Sequence, residues 1–213
     1  MQPPSPEAPA GVALAADLAE RAVLAVFFSA MSWSFLRSWL EAGGVASLIL
    51  LVSEASVVVM VLARRRTSAV SLSPAEWLIA FLGTAAPLLA RPVEGGAFLV
   101  TPLVCVPLML AGFAIQIAAK FTLRRSFGVV AANRGVKVGG PYRVVRHPMY
   151  AGYVLTQVGF LMVNPTPWNL AVYALAFGLQ ISRIRAEERI LGRDAAYRDF
   201  AASVRYRLAP GIF

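Results

Sequence analysis

The sequence predicts an all-α protein, a polytopic integral membrane helix bundle of about five to six transmembrane helices with a cytoplasmic C-terminal region. Hydrophobic residues make up 58% of the 213 residues and charged residues only 15%, whereas soluble proteins carry roughly 25% charged residues. Several apolar runs approach the length of about 20 residues that a bilayer-spanning helix needs. Arginine and lysine cluster at the ends of these runs, which is typical of cytoplasmic loops.

The N-terminal residues 1–20 are predicted to be a flexible tail. Met1–Pro9 is proline-rich and acidic, and it lacks the basic n-region of a secretory signal peptide. Pro87 predicts a kink or tilt in the third apolar run, because proline removes a helix hydrogen bond. Residues 21–119 hold the apolar runs expected to span the membrane, namely Ala22–Leu36, Gly43–Ala63, Trp77–Ala90 and Ala97–Ala119.

Residues 120–213 form a further region, in which we expect a loop, a helical hairpin and an amphipathic cap. Met149–Asn164 and Trp168–Ser182 are apolar runs shorter than a full span, and the proline-rich turn Asn164–Pro167 joins them. After Ser182 apolar residues alternate with charges. This alternation predicts one or two cytoplasmic amphipathic helices.

The distribution of charge predicts the orientation of the bundle. Arg64–Arg66, the loop after Ala119 and the tail from Arg183 onward are all basic. Alternating spans place them on one side of the membrane, which the positive-inside rule makes the cytoplasm. The formal net charge of +9 therefore indicates contact with membrane lipids rather than nucleic acid. Charges flank the first run on both sides, so its direction stays open, and the oligomeric state is not indicated.

Two polar clusters flank the predicted hairpin. Gly139–Gly152 is a Gly/Pro turn followed by a basic cluster, and it holds the only histidine of the sequence. Arg183–Glu188 is the second cluster. Because the hairpin returns the chain to the membrane face that it left, the clusters are expected to meet there. Together they could hold a polar cofactor beside a lipid-soluble substrate.

These clusters resemble the signature of a known family. The residues concerned are Gly140-Pro141-Tyr142-Arg143, Arg146-His147-Pro148-Met149-Tyr150, Gly152, Glu187-Glu188, Leu191, Tyr197, Phe200 and residues 204–211. In this order they resemble the isoprenylcysteine carboxyl methyltransferase family and related membrane methyltransferases, including phospholipid methyltransferase-like members. The resemblance covers the chain from Lys120 onward. Where many members have Phe-Gly and a longer spacer, this chain has Gly192-Arg193-Asp194, so the acceptor does not follow from the resemblance.

The resemblance implies S-adenosylmethionine as the cofactor. Carboxylates suit its ammonium and ribose groups, cationic groups suit its carboxylate, and aromatic faces suit its adenine and sulfonium. The two clusters supply all three kinds of group. The predicted cofactor-binding residues are Arg134, Gly135, Val136, Lys137, Tyr142, His147, Pro148, Met149, Tyr150, Glu187 and Glu188; no metal site is predicted.

The resemblance also implies methyl transfer to a lipophilic acceptor, either a small molecule or a prenylated one. The carboxylate of an isoprenylcysteine-like substrate fits best, because it is ionised at neutral pH and needs no general base. Basic residues would then orient the carboxylate rather than activate it. The predicted catalytic residues are Arg146, Arg183 and Arg207.

Three other functions stay open: a phospholipid amine or thiol methyltransferase, a membrane reductase of related architecture, and a non-enzymatic membrane protein. Some residues also have plain structural explanations, since Arg183 and Glu187 could pair on one helix face. Glu54, within an apolar run, is a functional candidate by default. Pairing with a polar group such as Gln116 or Gln180 would explain it equally well.

Overall fold

The computed structural model describes residues 10–43, 45–67, 69–93 and 99–211. It is 75% helix, with no strand among those residues, which confirms the all-α class. The α-helices of this part of the chain are α1 (Ala10–Ala42), α2 (Val45–Ala63), α3 (Pro74–Ala85), α4 (Pro102–Leu123), α5 (Pro148–Val163), α6 (Pro167–Leu191) and α7 (Ala195–Ser203), and short 3-10 helices occupy Ala86–Leu89, Arg124–Ser126 and Gly140–Arg143.

The first helix contradicts part of the predicted N-terminal tail. Residues 10–20 lie within α1, whereas residues 1–9 lie outside the described residues. Asp17 and Glu20 are fully buried and pair with Arg64 and Arg134. These partners come from distant parts of the chain, so local sequence patterns did not reveal that the segment is ordered.

One helix of the described residues is long and apolar enough to cross a membrane. It covers Pro102–Ser126 and has a mean hydropathy of 2.0. Three further apolar helices are shorter, namely Ser47–Ala63, Pro74–Leu89 and Pro148–Val163. The number of transmembrane helices therefore stays a prediction, as does the cytoplasmic position of the C-terminal region.

Prolines and hydroxyl side chains set several helix boundaries. Helices α3, α4 and α6 each begin with a hydroxyl group that accepts a backbone hydrogen bond, followed by a proline in the first turn, which is a favoured helix start. The capping residues are Ser73, Thr101 and Thr166. At the other end of α3, Pro87 lies in the 3-10 turn that follows the helix, where the sequence predicted a kink.

The second arm of the hairpin is longer than predicted. Helix α6 continues past Ser182 to Leu191, so the cluster Arg183–Glu188 belongs to the hairpin itself. Arginine and glutamate are good helix formers, and the helix contains no glycine or proline between Ser182 and Gly192. The charged cluster is therefore held rigidly relative to the apolar arm, and α7 alone forms the separate amphipathic helix.

The long helices pack mainly as three pairs, α1 with α2, α3 with α6, and α4 with α5. The α4–α5 contact is close because glycines face each other. A Cβ atom at Gly152 would lie 2.6 Å from the carbonyl oxygen of Gly112, which leaves no room for a side chain. Small residues commonly allow such close approach between membrane helices. This pair fixes the two ends of the loop that connects α4 and α5.

That loop folds back onto the N-terminal half of the chain. Backbone hydrogen bonds join it to the segment after α2, with an isolated antiparallel bridge between Val70 and Ala132. Glu20 of α1 accepts hydrogen bonds from the backbone amides of Val129 and Val130, each at 2.9 Å. The α4–α5 loop is thus shaped by helices that lie far from it in sequence.

Candidate active site

A polar cleft lies where the α4–α5 loop, the start of α5 and the end of α6 meet α7. Its volume is about 100 Å³. The predicted site residues that line it are Arg134, Gly135, Val136, Lys137, Tyr142, Arg146, His147, Met149, Tyr150 and Glu187. The structure therefore brings the two charged clusters together, as the hairpin predicted.

Glu187 is an acidic side chain that faces the cleft. Tyr150 donates a hydrogen bond to one of its carboxylate oxygens, and Nδ1 of His147 lies 3.7 Å from the other. Both partners stand at the start of α5, so these contacts tie the two arms of the hairpin together. The Glu187 side chain remains 22% exposed, which leaves it accessible to a ligand with ammonium or hydroxyl groups.

Glu188 does not line the cleft but binds a cluster of basic side chains. Its oxygens lie 3.0 Å from Arg146, 2.8 Å from Nε of Arg207 and 3.3 Å from Nε2 of His147. Burial would raise the pKa of Glu188, but hydrogen bonds from His147 and Arg207 and the charge of Arg146 outweigh burial and lower the pKa to about 2. Glu188 therefore organises the basic residues and is not part of the lining of the cleft.

The C-terminal segment lies against the start of α5, beside the cleft. The backbone amides of Arg146 and His147 donate to the carbonyl oxygens of Tyr206 and Arg207, both at 2.9 Å. These bonds hold the segment against the start of α5. The helix before it adds apolar and aromatic surface, so that the aromatic residues lining the cleft are Tyr142, Tyr150, Tyr197 and Phe200.

Arg134 lines the cleft, but its guanidinium group is bound by buried acids. Nη2 of Arg134 lies 2.7 Å from Glu20 and 3.0 Å from Asp17, and Arg64 lies 3.0 Å from each of the same carboxylates. The two acids thus compensate both buried arginines, and Asp17 also pairs with the partly buried Arg21 at 3.3 Å. Arg134 therefore fixes the shape of the loop rather than presenting a charge to a ligand.

A second and larger cavity lies in the middle of the bundle. Its volume is about 260 Å³, and its apolar wall includes Phe27, Phe28, Met31, Leu88, Tyr153 and Tyr173. Polar side chains also line the cavity, among them Glu54, Gln116, Lys120, Thr156, Gln157, Gln180 and Arg183. Sequence patterns did not predict this central cavity, because its residues come from α1 to α6 and the α4–α5 loop.

Glu54 lines the central cavity and forms an ion pair with Lys120. The lysine Nζ lies 3.2 Å from a carboxylate oxygen of Glu54 and 3.1 Å from Oγ of Ser53. Gln116 and Gln180, the partners suggested from the sequence, bond to other side chains. The carboxylate in an apolar helix is thus compensated by a cation from α4.

Arg183 stands between the polar cleft and the central cavity. It lines the cavity, and its guanidinium carbon lies 5.1 Å from the ring centre of the cleft residue Tyr150. Arg183 also donates a hydrogen bond to the carbonyl oxygen of Val129, at 3.1 Å. The side chain is buried, yet it forms no salt bridge with a carboxylate of the described residues. The alternative pairing with Glu187 on one helix face is therefore not formed, and Glu187 contacts Tyr150 and His147 instead.

A thin wall separates the two spaces. Gly128 and Met149 line both the cleft and the cavity. A side chain at position 128 would clash with the guanidinium group of Arg134, so glycine allows the loop to pass close to it. The cleft and the cavity therefore approach each other across the backbone of the α4–α5 loop and one methionine.

The remaining predicted site residues are Arg146, Arg207 and Pro148, and they differ in whether they line the cleft. Arg146 lines the cleft while it pairs with Glu188, and Arg207 also binds Glu188 without lining either space. Of the predicted catalytic arginines, Arg183 is the one that borders the central cavity. Pro148 is buried at the first position of α5, where it starts the helix rather than lining the cleft.

Some cleft residues were missed in the sequence. They precede Arg134 in the loop and are small or apolar, namely Ser126, Gly128, Val130 and Ala132. Gly128 offered a signal, because a loop glycine often marks a close backbone approach. The others carry no pattern that points to a ligand.

Comparison with known proteins adds an independent finding. Residues 103–193 match the model of the isoprenylcysteine carboxyl methyltransferase (ICMT) family. The matched segment contains nearly all of α4, the loop, α5 and α6, and thus both charged clusters. No curated protein matches the chain. The family match confirms the resemblance of this segment to the isoprenylcysteine carboxyl methyltransferase family, and that family implies a membrane methyltransferase.

Proposed function

We propose that this protein transfers a methyl group from S-adenosylmethionine, bound in the polar cleft, to a lipophilic acceptor bound in the central cavity. The observation that carries this proposal is the shared wall, in which Gly128 and Met149 border both spaces. A cofactor with charged groups and a lipophilic acceptor could approach each other there, the first beside the charged side chains of the cleft and the second beside the apolar side chains of the cavity.

The side chains of the cleft fit the groups of S-adenosylmethionine. Glu187 offers a carboxylate to the ammonium or ribose groups, and His147 lies against that carboxylate and helps to orient it. Lys137 offers a cationic donor to the carboxylate of the cofactor. Tyr142 and Phe200 provide aromatic faces for the adenine or the sulfonium. When bound, the cofactor supplies an electrophilic methyl group on a positively charged sulfur.

The acceptor that fits best is the carboxylate of an isoprenylcysteine-like molecule. Within the part of the chain that the structure describes, Arg183 is a buried cation without a salt-bridging carboxylate, and its Nε has no hydrogen-bond partner. An anionic acceptor would supply the missing partner, because charge-assisted hydrogen bonds are strong in such surroundings. The apolar side chains of the cavity, such as Phe27, Phe28 and Met31, would surround a prenyl chain.

For this acceptor the protein mainly has to orient the two reactants. An oxygen of the acceptor carboxylate displaces sulfur at the methyl carbon, so that a C–O bond forms and the sulfur keeps the bonding electron pair. No proton moves, and no general base is required. Arg183 would hold the carboxylate in line with the methyl group, and alignment of this kind is a large source of rate enhancement.

A phospholipid amine or a thiol is the second candidate acceptor. Such a group must lose a proton during methylation. Glu54 carries a carboxylate on the wall of the same cavity and is paired with Lys120, so a proton-accepting group is present. This ion pair is the observation that supports the second candidate.

Binding and turnover measurements test the proposal in two steps. Calorimetry of the detergent-purified protein should show binding of S-adenosylmethionine and none of a reduced nicotinamide cofactor, which separates a methyltransferase from a membrane reductase. An acceptor screen with labelled cofactor should then favour lipophilic carboxylates over lipophilic amines and thiols. Efficient methylation of water-soluble acceptors, with all lipophilic ones inert, would contradict the placement of the acceptor in the central cavity.

We further expect a multi-pass protein whose cleft faces the cytoplasm. The basic segments that support this orientation lie at one end of the bundle, where the amide of Arg65 donates to the carbonyl oxygen of Arg125 at 2.8 Å. In a Cys105→Ser background, a thiol introduced as Arg65→Cys should resist an impermeant reagent in intact cells and react after permeabilisation. Ready labelling in intact cells would show that the orientation is opposite to the predicted one.

A further inference from the structure

One carboxylate of the first helix anchors the wall between the cleft and the cavity. Oε1 of Glu20 accepts hydrogen bonds from the backbone amides of Val129 and Val130, each at 2.9 Å. Oε2 lies 2.7 Å from Arg134 and 3.0 Å from Arg64. Glu20 is fully buried, so water does not compete for these contacts.

The two amides belong to the wall itself. Val129 lines the central cavity, Val130 lines the polar cleft, and Gly128 before them lines both. Arg183 binds the carbonyl oxygen of Val129 at 3.1 Å. The same residue of the wall is therefore held at its N–H group by Glu20 and at its C=O group by Arg183.

We propose that Glu20 is a positioning residue for methyl transfer. Its side chain is long enough to hold the amides of Val129 and Val130, and it thereby fixes the wall where the cofactor methyl group and the acceptor can lie in line. This inference rests on the proposed function. In-line displacement depends steeply on geometry, and a misplacement of about 1 Å can cost roughly 100-fold in rate. Glu20 lines neither space, so it acts through the loop backbone rather than by touching a ligand.

Asp17 provides a matched control within the same network. It is also fully buried on α1, and its carboxylate lies 3.0 Å from both Arg64 and Arg134. Among the described residues, no amide of the α4–α5 loop donates to the Asp17 side chain. Asp17 also pairs with Arg21 at 3.3 Å, so if the acids served only to balance charge, Asp17→Asn should disturb turnover at least as much as Glu20→Asp. If the hydrogen bonds from the loop amides to the side chain matter, only the substitution of Glu20 should lower turnover.

Two conservative variants separate the effect of side-chain length from the effect of carboxylate charge. Glu20→Asp keeps the charge but draws the carboxylate back by one methylene, whereas Asp17→Asn keeps the size and loses the charge. We expect Glu20→Asp to lower kcat at saturating cofactor by about 10- to 100-fold, with the KM for the acceptor changed less than about threefold. Asp17→Asn should lower the thermal stability more than Glu20→Asp, with kcat per folded molecule within about threefold of wild type.

Hydrogen exchange of the ligand-free protein gives a readout that does not require activity. In Glu20→Asp the amides of Val129 and Val130 should exchange at least about tenfold faster than in wild type, whereas Asp17→Asn should leave them protected. Equal losses of kcat in the two variants, or unchanged exchange in Glu20→Asp, would overturn the inference. If the wild type does not bind S-adenosylmethionine, the proposed function fails first, and the exchange comparison still reports the contact by itself.

Discussion

The polar cleft and the central cavity are assembled in different ways. The cleft takes most of its charged and aromatic groups from two short stretches of sequence, Tyr142–Tyr150 and the end of α6, which the α5–α6 hairpin brings together. The cavity takes one to a few residues from each of α1 to α6. The comparison teaches that the polar and aromatic groups of a cleft can be concentrated in a local motif, whereas a cavity inside a bundle depends on how whole helices pack. Substitutions in the two regions should therefore change different measured quantities.

The largest effect on turnover is expected from Arg183→Lys, at the boundary of the two regions. Lysine keeps the charge but lacks the planar fork that orients a carboxylate. We expect kcat for a lipophilic acid to fall about 100-fold, while the dissociation constant of the cofactor changes less than about threefold. Steady-state kinetics and calorimetry measure the two quantities.

Arg189→Lys is the control for that experiment. Arg189 lies on the same helix, but its side chain is 63% exposed and pairs with Glu76, so the variant should behave as wild type. Parallel losses of turnover and cofactor affinity in Arg183→Lys would assign Arg183 to the cleft instead of the acceptor side.

Within the cleft, Glu187→Ala and His147→Ala should weaken cofactor binding. A hydrogen bond to a charged group contributes about 1.5–3 kcal/mol, so each variant should raise the dissociation constant of S-adenosylmethionine about 10- to 100-fold. Calorimetry measures the affinity, and thermal unfolding verifies that each variant folds. Glu41→Ala removes an exposed acid of α1 and should have no effect. If both cleft variants bind as tightly as wild type, the site is elsewhere.

Glu188→Gln should affect stability more than cofactor chemistry. The pKa of Glu188 is lowered to about 2 from its ordinary value of 4.5, so its charge stabilises the folded state fully above pH 4.5 and loses this effect as the pH falls toward 2. The melting temperature of the variant should therefore lie below that of wild type at pH 7, and the difference should shrink in acid. A difference that stays constant from pH 7 to about pH 3 would mean that the carboxylate charge is not what stabilises the cluster.

The smallest effect on turnover is expected from Glu54→Gln in the central cavity. If the acceptor is a carboxylate, no base is needed and kcat should stay within about threefold of wild type; an amine or thiol acceptor should lose more than about tenfold. Kinetics with each acceptor class measures this difference. Ser53→Ala removes the other partner of Lys120 and leaves the carboxylate, so it controls for a general disturbance of the pair.

Much of the fold follows from local sequence. The apolar runs became helices, and the turn at residues 164–167 separates α5 from α6, because helix formation depends on neighbouring residues. The boundaries shifted where local cues were weak: α1 begins at Ala10 and α6 continues to Leu191. In both places the helix extends through charged residues, and several of these charges find partners in the fold.

The candidate site was predicted where its residues are contiguous and was missed where they are not. His147, Tyr150 and Glu187 meet in the cleft because the hairpin places them together. Glu188 is adjacent in sequence to Glu187 but binds the basic cluster instead of lining the cleft. Neighbouring residues on a helix point in directions about 100° apart, so the chemistry of the pair was readable from sequence, whereas the side that each residue faces was not.

The sequence by itself determined the helical, apolar character of the chain, the hairpin and the chemical groups that meet in the cleft, because each depends on residues close together in the chain. The tertiary structure decided which charges pair, where the α4–α5 loop lies and that a central cavity exists. Arg134 meets Glu20 across 114 positions, and Lys120 meets Glu54 across 66. A buried charge must have a partner, but only the packing of the helices determines which partner lies within reach.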